Sequence, residues 1–228
     1  MKKGTLYGIG VGPGDPELMT LKAVRILNQC DIVATPKSEG NEKTALNIAK
    51  QFIEGKKIIH FDMPMTRDKQ KMQESHKIAS DSICKLLDEG KTVAFLTLGD
   101  PSIYSTYWYV HRLILERGYE AKIIAGVPSF CAAAASLNMA LVEGSEMLHI
   151  IPASHESTDD GLSLSGTKVL MKAGKSILDV REKLRKQGRL KTSALVERAT
   201  MPEERVVHDL DLLDNPTGYF SIIISKER

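Results

Sequence analysis

The chain has 228 residues, 42% of them hydrophobic, and a formal net charge of +2 at pH 7. That apolar content supports one large core or two modest ones, and the near-neutral balance excludes a strong global attraction to nucleic acid. No apolar run is long enough to span a bilayer, the start lacks the apolar core of a signal peptide, and Cys30, Cys84 and Cys131 stand apart with no CxxC pair. These features together predict a cytoplasmic protein with buried or idle thiols.

The apolar run over 6–11 predicts a strand. Behind it Leu18, Leu21, Val24 and Leu27 recur at helical spacing, with Thr20 or Asp15 available as a cap. Strands are expected over 31–35 and 57–61, and helices over 42–52 and 69–89, the second stopped by Gly90. A buried strand over 92–98 runs into Gly99-Asp100-Pro101, a helix over 105–117 ends at Gly118, and a strand over 121–125 leads through Gly126-Val127-Pro128 into a helix over 129–137 capped by Ser129. Beyond Asn138 the texture changes to shorter strands, over 149–152, 168–171, 193–196 and 218–225, with a helix over 177–187. In the last strand Phe220, Ile222 and Ile224 alternate with Tyr219, Ser221 and Ser225, which predicts antiparallel pairing with one face less buried. The polar loop over 154–167 reads as a mobile lid or a variable connection, and Trp108 and the methionines as core. Two α/β domains are expected, over 1–117 and 118–228.

The first strand runs into Gly10-Val11-Gly12-Pro13-Gly14-Asp15-Pro16, a glycine-rich turn that matches no common phosphate motif. A dinucleotide fingerprint from Gly8 needs glycine where Pro13 stands, and the Gly-Lys-Ser/Thr of a P-loop is absent. Pro13 and Pro16 lack N–H donors, so the turn suits a flat or bulky organic ligand better than a pyrophosphate. Gly99-Asp100-Pro101 and Gly126-Val127-Pro128-Ser129 repeat the same form after two later strands. Ligands of open α/β sheets collect at the carboxyl ends of strands, so three such junctions are expected to line one crevice, although each by itself is equally a tight turn. A nucleotide-dependent oxidoreductase is disfavoured by the broken fingerprint and by Thr35-Pro36, where a dehydrogenase would want an acidic residue. A non-catalytic adenosyl- or tetrapyrrole-binding module stays open.

His60, His76, His111, His149, His155 and His208 form no HExxH or paired ligand spacing, so no protein-bound metal is expected. Lys37, Lys43, Lys50, Lys56, Lys57, Arg67, Lys69, Lys71 and Lys77 crowd one segment, most readily as a solvated face, with a few available to an acidic small molecule.

The opening run from Gly10 to Leu18 with Thr20-Leu21-Lys22-Ala23, then Gly99-Asp100-Pro101-Ser102-Ile103-Tyr104-Ser105, Gly126-Val127-Pro128-Ser129 and Glu197-Arg198-Ala199-Thr200-Met201-Pro202, closely resembles the tetrapyrrole methylases over essentially the whole chain. The resemblance implies the two-domain fold of class III S-adenosylmethionine-dependent methyltransferases. Its domains face each other across a cleft in a homodimer, and the reaction methylates corrin or sirohaem precursors. The Pro36-Lys37-Ser38 turn and Tyr104-Ser105-Thr106-Tyr107 are most similar to the branch methylating C-20 of precorrin-2 or cobalt-factor II in cobalamin synthesis; uroporphyrinogen methylases tend to carry Tyr-Asp at the first of these places. An activated sulfonium methyl and an enamine-like meso carbon need alignment, exclusion of water and management of one proton. Any cobalt would arrive in the substrate.

Carried over by motif, the resemblance implies that the donor lies between the domains. Leu98, Gly99, Asp100, Ile103, Tyr104, Ser105 and Thr106 would border it on one side, with Ser129 and Phe130 beyond. Leu170, Met171, Lys172, Val196, Glu197, Arg198, Ala199 and Phe220 would form the opposite wall with Tyr219. Pro13, Gly14, Asp15 and Lys37 are expected to face the tetrapyrrole. Asp100 is expected to orient the cationic donor or accept a proton, with a helix cap as its plainer role. Lys172 is expected to bind a substrate carboxylate or lower a nearby acid's pKa, with a solvated strand end as its plainer role, and Tyr219 to donate a hydrogen bond in the cleft, with half-buried packing in a strand as its own.

Overall fold

The computed structural model describes residues 2–37, 42–64, 66, 68–153 and 158–227, with only the backbone of Glu42, Lys43 and Lys175. Ser38, Arg67, His155, the side chain of Lys43 and the start of the 154–167 loop lie outside the described residues. The chain forms two compact units, Met1–Pro128 and Ser129–Arg228.

The first unit alternates strand and helix: β1 (Thr5–Gly10), α1 (Leu21–Gln29), β2 (Ile32–Lys37), α2 (Glu42–Ala49), β3 (Lys57–Asp62), α3 (Lys69–Asp88), β4 (Val93–Thr97), α4 (Tyr107–Glu116) and β5 (Glu120–Ile124). The strands pair in parallel in the order β3-β2-β4-β1-β5. Alternate residues of β4 feed opposite faces. Ala94 and Leu96 pack with Ala23, Ile26 and Leu27 of α1 and Ile48 of α2, whereas Val93 and Phe95 pack with Ile83 and Leu87 of α3 and Val110 and Ile114 of α4. Burial on both faces explains why β4 reads as a continuous apolar run. The chain leaves β1 toward β2 and leaves β4 toward β5, so these adjacent strands form the switch point at which such sheets hold ligands.

Both proposed caps at the first helix are used. The Thr20 hydroxyl accepts from Ala23 N at the start of α1, and Asp15 accepts from Glu17 N over a short 3-10 turn, Pro16–Leu18. At the other end of α1 the Lys56 ammonium donates to the Asn28 and Cys30 carbonyls at 2.9 and 2.8 Å, which gives one member of the basic segment a structural duty. The domain boundary moves from 117/118 to 128/129, because β5 hydrogen-bonds to β1 in the first sheet.

The second unit contains α5 (Ser129–Ser136), β6 (Leu148–Pro152), α6 (Thr158–Ser163), β7 (Thr167–Met171), α7 (Ile177–Lys186), β8 (Ser193–Glu197), β9 (Arg205–Val207) and β10 (Ser221–Ser225). Its sheet runs β6-β7-β10-β8-β9, with β10 antiparallel to both β7 and β8. Leu170, Leu195 and Ile223 pack on Ile177, Val180 and Leu184 of α7. The antiparallel pairing matches expectation, but all five residues of β10 are buried, since the strand is central and has no lighter face. Residues 158–163 of the loop read as mobile form α6, anchored by buried Thr158 and Leu162. Trp108 and Met147 are exposed rather than core; Trp108 stacks on His111 with ring centroids 4.7 Å apart.

Candidate active site

In the first unit the three glycine junctions pack onto one another. Gly12 and Gly99 form an antiparallel bridge, with Gly99 N donating to the Gly12 carbonyl at 2.7 Å and Gly12 N to the Gly99 carbonyl at 3.2 Å. Gly126 closes against both strands: a Cβ there would stand 2.1 Å from the Gly99 carbonyl oxygen and 2.8 Å from Gly10 backbone. Only glycine permits this approach. The Thr20 hydroxyl completes the junction by donating to the Ala125 carbonyl at 3.2 Å.

Asp100 is the clamp of this assembly. One carboxylate oxygen accepts from the backbone N–H and the hydroxyl of Ser102, and the other from Gly126 N at 2.9 Å. It is not a helix cap, since α4 begins at Tyr107 with Thr106 in front of it. The aspartate folds its own turn and ties it to the loop after β5. Around it Leu98 is half-buried, Gly99 buried, Ile103 and Ser105 half-buried, and Thr106 exposed. Tyr104 is 43% exposed and holds φ +47°. Of the residues expected to face the substrate, Pro13 is buried, Gly14 and Asp15 are half-buried and Lys37 is exposed at the end of β2.

In the second unit β6, β7 and β8 end at the same edge at which β10 begins, because β10 runs opposite to β7 and β8. Met171 stands opposite Ile222 and Glu197 opposite Ser221, so Lys172, Arg198, Tyr219 and Phe220 gather just beyond the ladder. Arg198 N donates to the Phe220 carbonyl at 2.8 Å. Leu170 and Val196 are fully buried, which leaves backbone as their contribution to any ligand. Tyr219 and Phe220 lie outside β10, contrary to the strand expected over 218–225, because Glu197 Oε1 takes Gly218 N at 2.6 Å and turns the segment away. Glu197 thereby shapes the edge. The Asn215-Pro216 turn signal in front of Gly218 was the available clue.

Four non-glycine residues at this edge occupy the left-handed region: Lys172 at φ +59°, Arg198 at +58°, Thr200 at +62° and Glu203 at +66°. Such conformations are rare for side-chain-bearing residues, and most unusual for β-branched threonine. Burial pushes the Lys172 ammonium below the ordinary lysine range and the Tyr219 phenol above its own, although half of Tyr219 is exposed. Arg198 pairs with Glu203 at 3.2 Å, Ala199 is buried, and in α5 Ser129 is half-buried and Phe130 buried. Four buried hydroxyls, those of Thr97, Thr167, Thr217 and Ser225, have no hydrogen-bond partner among the described residues. Among the described residues no three His, Cys, Asp or Glu side chains are grouped to hold a metal.

The family model for tetrapyrrole (corrin/porphyrin) methylases matches residues 5–211. A probable cobalt-precorrin-2 C(20)-methyltransferase of Methanocaldococcus jannaschii is 37% identical over 97% of this chain and 95% of its own length. The cobalt-precorrin-2 C(20)-methyltransferase of Salmonella typhimurium is 30% identical over 99% and 97%, and the precorrin-2 C(20)-methyltransferase of Sinorhizobium is 28% identical over 97% and 94%. Among solved structures, a cobalt precorrin-4 methyltransferase superposes with a TM-score of 0.76 at 22% identity, over 97% of this chain and 94% of that one. The uroporphyrin-III C-methyltransferase of Thermus thermophilus, complexed with S-adenosylhomocysteine, gives 0.73 at 21% identity, covering 98% of each. Both share the two-sheet α/β fold. The chain belongs to the tetrapyrrole methylase family.

Proposed function

We propose that the protein transfers a methyl group from S-adenosylmethionine to C-20 of a precorrin-2-class tetrapyrrole, with the cobalt-containing form, cobalt-factor II or cobalt-precorrin-2, as its substrate. The observation that carries this reading is the end-to-end match, at 37% identity, to a relative named for that reaction. The cobalt form is favoured because relatives at 37% and 30% are named for it, against 28% for a relative named for precorrin-2.

The donor supplies an activated methyl on a sulfonium sulfur. What the chain must do is bind, align and exclude water. In the first unit the turn over 98–106, shaped by Asp100, is assigned to the donor; in the second unit, taken by itself, Ser129, Phe130 and the ends of β7 and β8 are. Buried Leu170 and Val196 offer backbone there, and Thr97 and Thr217 offer hydroxyls. Asp100 acts on the donor through the turn it folds, since both its oxygens already hold local donors. Lys172 and Tyr219 are assigned to the substrate side. As an ammonium Lys172 would grip a substrate carboxylate; burial lowers its pKa and so favours the neutral amine, the form that would accept the proton the meso carbon loses. Gly14, Asp15 and Lys37 are assigned to the macrocycle, Pro13 to the base of that loop.

A homodimer in the cytoplasm, with no resident metal, completes the proposal; exposed Trp108, Tyr109 and Leu115 on α4 are the apolar surface in favour of self-association. Light scattering at working concentration checks the dimer, and a monomer would remove it. The activity is tested by mass spectrometry of the tetrapyrrole after incubation with donor and each substrate form. One added methyl on the cobalt form is expected. Donor binding with no turnover would leave a non-catalytic binding module, and preference for uroporphyrinogen would move the chain to another branch.

A further inference from the structure

We propose that Glu204 is a positioning residue for methyl transfer, holding the loop after β8 in the shape the donor requires. Its Oε2 accepts from the backbone N–H of Thr200 at 2.5 Å and lies 2.9 Å from the Ser136 hydroxyl, whose one proton has this carboxylate as its nearer acceptor and the Ala132 carbonyl at 3.2 Å as the other. The first partner lies 4 residues back in the same loop and the second 68 residues back at the end of α5, so one carboxylate oxygen joins two elements of the second unit.

The loop needs such a tether. Arg198, Thr200 and Glu203 all take left-handed backbone within six residues, and a chain of side-chain-bearing residues leaves that region unless its surroundings fix it. One end is fixed by Arg198 N on the Phe220 carbonyl, and turns from Met201 N to the Arg198 carbonyl and Glu204 N to the Met201 carbonyl bring Glu204 back beneath the loop. Thr200 N is the amide Glu204 captures. Helix α5 begins with Ser129 and Phe130, assigned to the donor, and contacts β10. The Glu204 bridge therefore couples two donor segments, Arg198-Ala199 and α5, without placing the carboxylate itself on the ligand.

This inference rests on the proposed donor site. It predicts a loss of donor affinity rather than of chemistry, because a loosened loop must be reordered whenever donor binds. The test is calorimetry with S-adenosylhomocysteine and steady-state methyl transfer on the full chain. Glu204→Ala is expected to raise the product's dissociation constant and the donor's KM about tenfold while kcat at saturating donor stays within about twofold. Glu204→Gln keeps an oxygen that can accept both bonds and is expected to restore most of that affinity; Ser136→Ala, which removes one bond, should fall between. Wild-type affinity in Glu204→Ala, a fall in kcat at unchanged KM, or a Gln variant as weak as the Ala variant would overturn it. Should Glu204→Ala fail to fold, unaltered affinity in Ser136→Ala overturns it equally. If wild-type protein itself does not bind S-adenosylhomocysteine, the donor site fails rather than the tether.

Discussion

The strand ends of the two units are shaped by opposite means. In the first, glycines are pressed backbone to backbone, Gly10, Gly99 and Gly126 within a few ångströms, and a single aspartate locks them. In the second, side-chain-bearing Lys172, Arg198, Thr200 and Glu203 are bent into left-handed backbone, which at the first edge Tyr104 alone among the described non-glycine residues adopts, and Glu197 holds the facing segment. Glycine adopts the necessary geometry at little steric cost but presents nothing to a ligand; a lysine or arginine so bent costs about 1 kcal/mol or more and projects a charged group. The first edge is built for close approach and the second for display.

The largest effect should come from filling the glycine contact. Gly126→Ala places a methyl against immovable backbone and is expected to cost about 3 kcal/mol in urea unfolding, against about 1 kcal/mol for Gly144→Ala, which meets only open space. Equal losses would show that close packing is not what shapes the first edge. Next is Asp100→Ala, which strands Gly126 N and the Ser102 donors: about 2 kcal/mol of stability should go with a fall in turnover of at least about tenfold. Full turnover in a destabilised variant would reduce Asp100 to a structural clamp.

Stability should also decline in acid. Burial lowers the pKa of His76 and His111, on α3 and α4, below the 6.5 of the free side chain. The unfolded chain therefore takes up their protons more readily than the folded one. Their contribution is complete above pH 6.5 and is lost as pH falls through the folded values. Thermal unfolding between pH 7.5 and 5 checks this, and replacing both histidines with phenylalanine should flatten the profile.

Smaller still is Lys172→Gly, which relieves the left-handed residue. Melting temperature should hold or rise, by up to about 1 kcal/mol of stability, while methyl transfer falls. A variant that is both more stable and fully active would mean the strained lysine displays nothing the reaction needs. Last, the KM for tetrapyrrole should rise between low and physiological salt and that rise should be blunted in Lys37→Ala, since an exposed cation acts through screened attraction. An unchanged salt response would make Lys37 an ordinary surface lysine.

The same contrast explains what could be read from residues alone. Helices over 69–88 and 177–186 and the parallel strands announced themselves by periodicity and glycine stops, and the glycine junctions by composition. Long-range pairing was not so marked. Nothing local in Glu120–Ile124 says that it pairs with β1, and nothing in Glu197 says that it will take Gly218 N and end β10 early. The short β9 and the polar α6 exist because the sheet and two buried side chains hold them. Left-handed lysine, arginine and threonine carry no sequence signal, because the surroundings impose the conformation.

The most direct test of the whole account is transfer from S-adenosylmethionine carrying a carbon-13 methyl to the cobalt-containing substrate, with the product read by NMR. The account predicts one labelled methyl on the C-20 meso carbon and none elsewhere. Label on a pyrrole carbon, or donor bound with no label transferred, would contradict it.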